Sequence, residues 1–165
     1  MKKGFLLLLM FAVLVGLNSD ANAQTVFSTR INSAFNDMEE WIAGPPTQTK
    51  PVGAIDWNSS DLEFGWESTT VDPQLVGLRF TNITVPKGAI ITRAYIQFTV
   101  DATSKNSDPC NVSIRVEPSD NPIIFDSNAF HLTNRTKSTD SVFWAVGGTG
   151  WNVVGSAGVD QRTPN

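Results

Sequence analysis

Between Leu75 and Asp101 the chain reads LVGLRFTNITVPKGAIITRAYIQFTVD, two apolar/polar alternating runs joined by Pro86-Lys87-Gly88. In the first run Val76, Leu78 and Phe80 fall on one side, with Gly77, Arg79 and Thr81 on the other. In the second, Ile90, Ala94, Ile96, Phe98 and Val100 share a face opposite Arg93, Tyr95, Gln97 and Thr99. A period of two sustained this long specifies strands with one face in a core and one in water. It excludes an amphipathic helix, whose apolar residues recur every three or four positions. The stretch therefore predicts two strands and a turn.

The same pattern recurs in shorter form. Leu62, Phe64 and Trp66 alternate with Asp61, Glu63, Gly65 and Glu67, and Val112, Ile114 and Val116 form another run. Thr139–Ala145 and Trp151–Val154 read as strands around the turn Gly147-Gly148-Thr149-Gly150, and Ile123–Phe125 is a short apolar run. Gly44-Pro45-Pro46, Val71-Asp72-Pro73 and Pro118–Pro122 are breaks that neither a helix nor a central strand tolerates. No segment carries a helical period. About seven or eight short strands at this spacing predict an all-β fold, an antiparallel β-sandwich of jelly-roll type, in preference to a barrel.

Met1–Ala23 has the plan of a secretory signal: a basic start at Lys2 and Lys3, an apolar stretch Phe5–Leu17, and small residues at Ala21 and Ala23. That apolar stretch is about 13 residues, short of the ~20 that span a bilayer. Cleavage is expected after Ala23, with no membrane span in the mature chain. Residues 24–36 read as a linker or edge strand and 37–165 as the sandwich domain. Gly155–Asn165 is polar and ends with no closing strand, so the domain is expected to be incomplete at its C-terminus.

Composition narrows the chemistry. The net charge is −4 and the pI about 4.8, which disfavours nucleic acid, whose binding needs dense Lys and Arg. One cysteine, Cys110, allows no internal disulfide, and one histidine, His131, allows no His-rich zinc site and no H-E-x-x-H motif. No G-x-S-x-G is present, and the Gly147–Gly150 loop lacks the Lys-Ser/Thr of a phosphate loop. Glu63 with Glu67 is a conceivable carboxylate pair, but residues four apart on a strand define no cleft. Catalysis by this chain is not expected.

Two binding chemistries remain. Calcium takes carboxylate and carbonyl oxygens. Asp37, Glu39 and Glu40 form one acidic group, and Asp61 with Glu63 a second. If the N-terminal strand packs beside Ser60–Glu67, the groups converge on one structural calcium ion; otherwise they are solvated acidic faces. Carbohydrate binding needs exposed aromatic rings, which cover the C–H face of a pyranose. Trp66 and Trp144 follow core alternation. Trp41, Trp57 and Trp151 lie nearer turns and are the candidates for exposure. Tyr95, with Arg93 and Gln97 beside it on the outward face of its run, is a candidate floor for a shallow groove, unless a second sheet covers it.

The segments DMEEW (Asp37–Trp41), NSSDLEF (Asn58–Phe64), VGLRFTNITVPKGAIITRAYIQFTVD (Val76–Asp101), NRTKSTDSVFW (Asn134–Trp144) and DQRTPN (Asp160–Asn165) together resemble a domain of large secreted bacterial proteins, often from marine or gliding bacteria. That domain is grouped with carbohydrate-binding modules of the DNRLRE type. The resemblance covers Asp37–Asn165 and implies a non-catalytic sandwich working beside enzyme, adhesin or cell-wall domains. Members of the family continue past the Thr-Pro of DQRTP into further strands, which implies that this chain is the front part of a longer protein.

The leading expectation is an extracellular or cell-surface module that binds polysaccharide. The alternatives are a structural or adhesive block contacting neighbouring domains, and the front of a secreted hydrolase whose catalytic residues lie downstream.

Overall fold

A computed structural model describes residues 24–43, 50–65, 73–103 and 110–165. The expected signal peptide, Trp66 with Glu67, the Gly44-Pro45-Pro46 break and most of the Val71–Pro73 turn lie outside these residues. The described chain is all-β: five strands and two single-turn 3-10 helices, Thr149–Trp151 and Val159–Gln161, with no α-helix among the described residues.

The strand β1, Asp37–Trp41, is the middle of a three-stranded antiparallel sheet. On one side it pairs with β2, Ile55–Asp56, in the register Glu39 to Asp56 and Glu40 to Ile55. On the other it pairs with β3, Gln74–Leu78, from Asp37 opposite Leu78 to Trp41 opposite Gln74. A second sheet consists of β4, Cys110–Ile114, antiparallel to β5, Val142–Val146.

Two apolar clusters fill the interior. Met38, Phe125 and Leu132 pack with Ile55 and Leu75 on one face of the β1 sheet. Gly77 lies on that face too, because a Cβ there would meet Leu132 Cδ2 at 2.6 Å and Phe125 Cζ at 3.1 Å. The missing side chain lets the 125–132 segment sit directly on β3. The second cluster, Val100, Trp144, Val146 and Trp151, gathers Phe64, Phe98, Cys110, Val112 and Ile114. Its rings meet mostly edge to face: Phe64 and Phe98 at 4.8 Å, Phe64 and Trp144 at 5.8 Å, with Phe98 stacked on Trp144 at 5.6 Å. These are the preferred aromatic geometries.

Between the clusters runs a strand with carboxylates on both faces. Glu39 and Glu40 are 1% and 0% exposed. Both faces of this strand are covered, so adjacent glutamates must each find donors in the interior. Glu40 accepts hydrogen bonds from the backbone N–H groups of Leu132 (2.6 Å) and Thr133 (3.1 Å), and from the Thr133 hydroxyl. The same turn is held from its other end by Lys137, whose Nζ donates to the carbonyls of Leu132, Thr133 and Arg135 at 2.8, 3.0 and 3.1 Å. Opposite charges thus take up the polar groups of one turn.

Gly53 fixes how β1 meets this turn. Its φ of 85° favours glycine, and the Phe130 ring lies where a Cβ would stand, 2.5 Å away. Its carbonyl accepts from the N–H of Phe130 at 2.9 Å, and its own N–H donates to the Trp41 carbonyl at 2.6 Å.

The Leu75–Asp101 stretch does not form the expected hairpin. Pro86–Ala89 does turn, with the Ala89 N–H on the Pro86 carbonyl at 3.1 Å, but β3 ends at Leu78 and residues 82–95 are exposed. Ile90, expected in the core, is 91% exposed. Inward alternation holds only at Ile96, Phe98 and Val100, where another segment covers the run. That segment is Gly155–Asn165, in which the sequence shows no strand. The N–H of Phe98 donates to the Gln161 carbonyl at 3.0 Å, that of Thr163 to Ile96 at 3.1 Å, and that of Val100 to Ser156 at 3.0 Å. On β3, alternation assigns Gly77 to the outer side, yet it faces the core. Val76, Leu78 and Phe80 are half-buried.

Two other expected strands are absent: residues 60–65 hold none, and at 151–154 a 3-10 turn takes the strand's place. Residues 24–36, expected as a linker or edge strand, form no strand. Segment 24–30 instead meets residues 81–92, with Thr29 Oγ1 donating to the Thr81 carbonyl and Gln24 Nε2 to Thr92 Oγ1.

Candidate functional site

Beside β1 lies a shallow recess with room for little more than one water molecule, lined by Asp37, Glu39, Asp56, Trp57, Ser59 and Asp61 among others. The sheet register places these groups: Glu39 stands opposite Asp56 on β2, and the chain then turns through Trp57 and Ser59 to Asp61. The turn is tied by short polar links. The Asn58 N–H donates to Asp56 Oδ1 at 3.2 Å, and the hydroxyls of Ser59 and Ser60 each donate to Asp61 Oδ1 at 3.3 Å. Glu39 Oε1 accepts the N–H of Glu63 at 2.6 Å, which draws the 60–65 segment onto the sheet.

At the lip of the recess Trp57 stacks on Phe35, ring centroids 5.0 Å apart and planes within 10°. Both rings are partly open to solvent, 39% and 37%. Lys50 lies at the edge, 3.9 Å from Asp56 Oδ2 and 5.4 Å above the Trp41 ring. Burial pushes the Asp37 carboxyl above its ordinary value, and a backbone hydrogen bond pulls it partly back.

Of the expected calcium ligands, Asp37, Glu39 and Asp61 do line one recess, joined by Asp56. Glu63 contributes its backbone N–H to Glu39, while Glu40 faces the opposite way and is engaged by the 132–133 turn. Among the described residues, no three histidine, cysteine, aspartate or glutamate side chains form a group that could hold one metal ion.

Of the expected sugar-binding tryptophans, only Trp57 is exposed. Trp41 is 1% exposed, with Lys50 Nζ 5.4 Å above its ring. Trp151 is buried in the aromatic cluster, its Nε1 donating to the Asp160 carbonyl at 3.1 Å. Trp144 is core, as its alternation predicts.

Tyr95, Arg93 and Gln97 remain exposed on their outward face. No second sheet covers them among the described residues. They are joined by Arg162, whose guanidinium lies 4.6 Å above the Tyr95 ring and donates from Nε to Gln97 Oε1 at 2.6 Å. Gln97 is itself locked, its Nε2 donating to the carbonyls of Phe98, Gly158 and Gln161 at 3.0, 3.1 and 3.3 Å.

Sequence reasoning missed Phe35, Asp56 and Arg162 as site residues. Asp56 precedes Trp57 and was legible as an acidic neighbour of an aromatic. Phe35 and Arg162 arrive through contacts across the fold.

No family model matches the chain, and no curated protein and no solved structure is significantly similar to it. Among the described residues, no helix is long and apolar enough to cross a membrane.

Proposed function

We propose that this chain is a non-catalytic, exported β-sandwich module that binds carbohydrate, working beside other domains of a larger extracellular or cell-surface protein. The observation that carries the reading is the exposed Phe35–Trp57 stack at the mouth of a recess rich in carboxylate and hydroxyl acceptors. A flat aromatic surface takes the C–H face of a sugar ring, while Asp56, Ser59 and Asp61 supply acceptors and a hydroxyl for its O–H groups. Tyr95 with Arg162 and Gln97 offers a second, smaller surface of the same kind. Exposed aromatic area joined to a few fixed polar groups is a design for binding rather than for bond breaking.

Affinity electrophoresis against a broad glycan panel tests the proposal. Retardation by at least one polysaccharide is expected, with a loss of about tenfold in affinity for Trp57→Ala and a comparable loss for Phe35→Ala. Unaltered migration of the wild-type protein across the panel overturns it. The carbohydrate reading does not require calcium; Glu40 and one oxygen of Glu39 are engaged by backbone N–H groups. EDTA is expected to leave the melting temperature unchanged.

A second reading, a structural or adhesive block, is favoured by the apolar side chains left in water at Ile83, Ile90, Ile91, Ile123 and Phe143. Light scattering over a concentration series tests it: a mass that stays monomeric at the highest concentration counts against self-association, leaving contacts with other domains.

A further inference from the structure

The run 93–101 has two backbone edges, and only one of them is occupied. Ile96, Phe98 and Val100 turn their amides and carbonyls toward residues 155–163. The Phe98 N–H donates to the Gln161 carbonyl at 3.0 Å, the Thr163 N–H to the Ile96 carbonyl at 3.1 Å, and the Gly155 N–H to the Val100 carbonyl at 2.8 Å. The Ala94 N–H joins this edge by donating to Asn165 Oδ1 at 2.8 Å. Gln97 stands antiparallel to Arg162 between these bonds. In an extended chain the backbone groups of alternate residues point to opposite edges. Those of Arg93, Tyr95, Gln97, Thr99 and Asp101 therefore point the other way, and none of them forms a backbone hydrogen bond among the described residues. Their side chains are all exposed, Tyr95 by 47%.

A row of free donors and acceptors is a template for another strand. No proline interrupts the run to blunt it. The run also carries its own complement. Arg93 near one end and Asp101 at the other form no ion pair among the described residues. Laid antiparallel on itself about Gln97, the run sets Arg93 opposite Asp101 of a second copy, Tyr95 opposite Thr99, and Gln97 opposite its counterpart. Each of these pairs exchanges two backbone bonds, about ten in all. No like charges face each other, and an opposite-charge pair closes each end. Sliding the register by one residue turns occupied groups toward the partner and loses the bonds. Sliding it by two keeps the bonds but takes Arg93 off Asp101.

We propose that this free edge is a dimer interface, to which a second copy of the chain adds antiparallel with Arg93 opposite Asp101. Strands of one sheet keep their faces, so both Tyr95 rings, each 4.6 Å from its Arg162 guanidinium, lie on one side and flank the central Gln97 pair. Two small aromatic surfaces become one longer surface. The inference goes beyond the carbohydrate reading and does not rest on it, because the pairing needs no glycan.

Sedimentation equilibrium without glycan, from about 1 μM to about 1 mM protein, tests the interface. A single pair of strands buries little area, so a dimer that dissociates in roughly the 1–100 μM range is expected. The amides of Tyr95, Gln97 and Thr99 are expected to exchange slowly at the highest concentration and fast at the lowest. Arg93→Glu sets like charges opposite each other and is expected to weaken the dimer on the order of tenfold. Asp101→Arg should do the same, and the two changes together should restore it. Both side chains are exposed, so the fold of the monomer is left intact. Thr99→Pro removes a donor that the monomer leaves unused and is expected to be monomeric throughout. A wild-type monomer over the whole range overturns the proposal. So does a dimer indifferent to these substitutions, which would be held instead by apolar side chains such as Ile90 and Ile91, or a double charge variant that fails to recover. Edge amides that stay protected in the dilute monomer overturn it too, because another part of the same chain would then occupy the edge.

Discussion

The two interiors of this protein are held by different physics. Around Trp144 the contacts are rings and branched aliphatics, Phe64, Phe98, Val100 and Trp151, with no charge involved. Around β1 the apolar cluster is smaller, Met38, Phe125 and Leu132, and buried carboxylates bridge strand and turn. Apolar packing is non-directional and tolerates imperfect replacement. A buried carboxylate does not, because each oxygen that loses its donor, and each donor that loses its acceptor, retains the cost of leaving water. The first interior supplies bulk stability; the second specifies which turn lies on which strand.

Substitution distinguishes the two. The largest loss is expected from Trp144→Ala, about 3–5 kcal/mol in urea unfolding, whereas Trp144→Phe should retain much of the packing. Glu40→Ala is expected to cost about 3 kcal/mol by leaving the amides of Leu132 and Thr133 without an acceptor. The telling variant is Glu40→Gln, which is nearly isosteric. In an apolar interior such a change would be mild, but here an amide NH₂ replaces one acceptor facing N–H donors. A cost of about 1–2 kcal/mol is expected. If Glu40→Gln unfolds at the same urea concentration as the wild type, the contrast between the interiors fails.

The smallest effect is at the recess. Burial raises the Asp37 carboxyl, so the folded state holds that proton more tightly than the unfolded chain does. Its contribution to stability is therefore most favourable below the ordinary carboxylate range and is lost as pH rises through the raised value. Asp37→Asn removes the charge and is expected to melt at or slightly above the wild-type temperature near pH 7. That advantage should vanish near pH 3, where both carry no charge at this position. An Asn variant clearly less stable near pH 7 would mean that the backbone hydrogen bond of Asp37 outweighs its burial.

Much of the fold was legible where a local pattern and its covering layer coincide. The strands Cys110–Ile114 and Val142–Val146, the turn at Pro86–Gly88 and the core position of Trp144 all follow from alternation and turn residues. Alternation failed where it had no layer to act on. It assigns Ile90 and Phe98 to the same face, but only Phe98 meets a neighbour, because Gln161 and Thr163 pair with that part of the run and not with its beginning. It also cannot show which segments will cover the faces of a strand. For that reason the acidic DMEEW segment reads as solvated, and Trp41 as accessible, when the 132–133 turn reaches Glu40, the Glu63 N–H reaches Glu39 and Trp41 is buried.

The same distinction governs the candidate surfaces. Residue types alone determined the chemistry that is available: an acidic chain with one cysteine and one histidine, several tryptophans and strand-forming periodicity. Only the tertiary structure decided which of those residues reach solvent. It buried Trp41 and Trp151, left Trp57 exposed on Phe35, and brought Arg162 across the sequence to Tyr95. The physical reason is that periodicity fixes the direction of a side chain relative to its own backbone, whereas burial depends on what arrives from elsewhere in the chain to cover it.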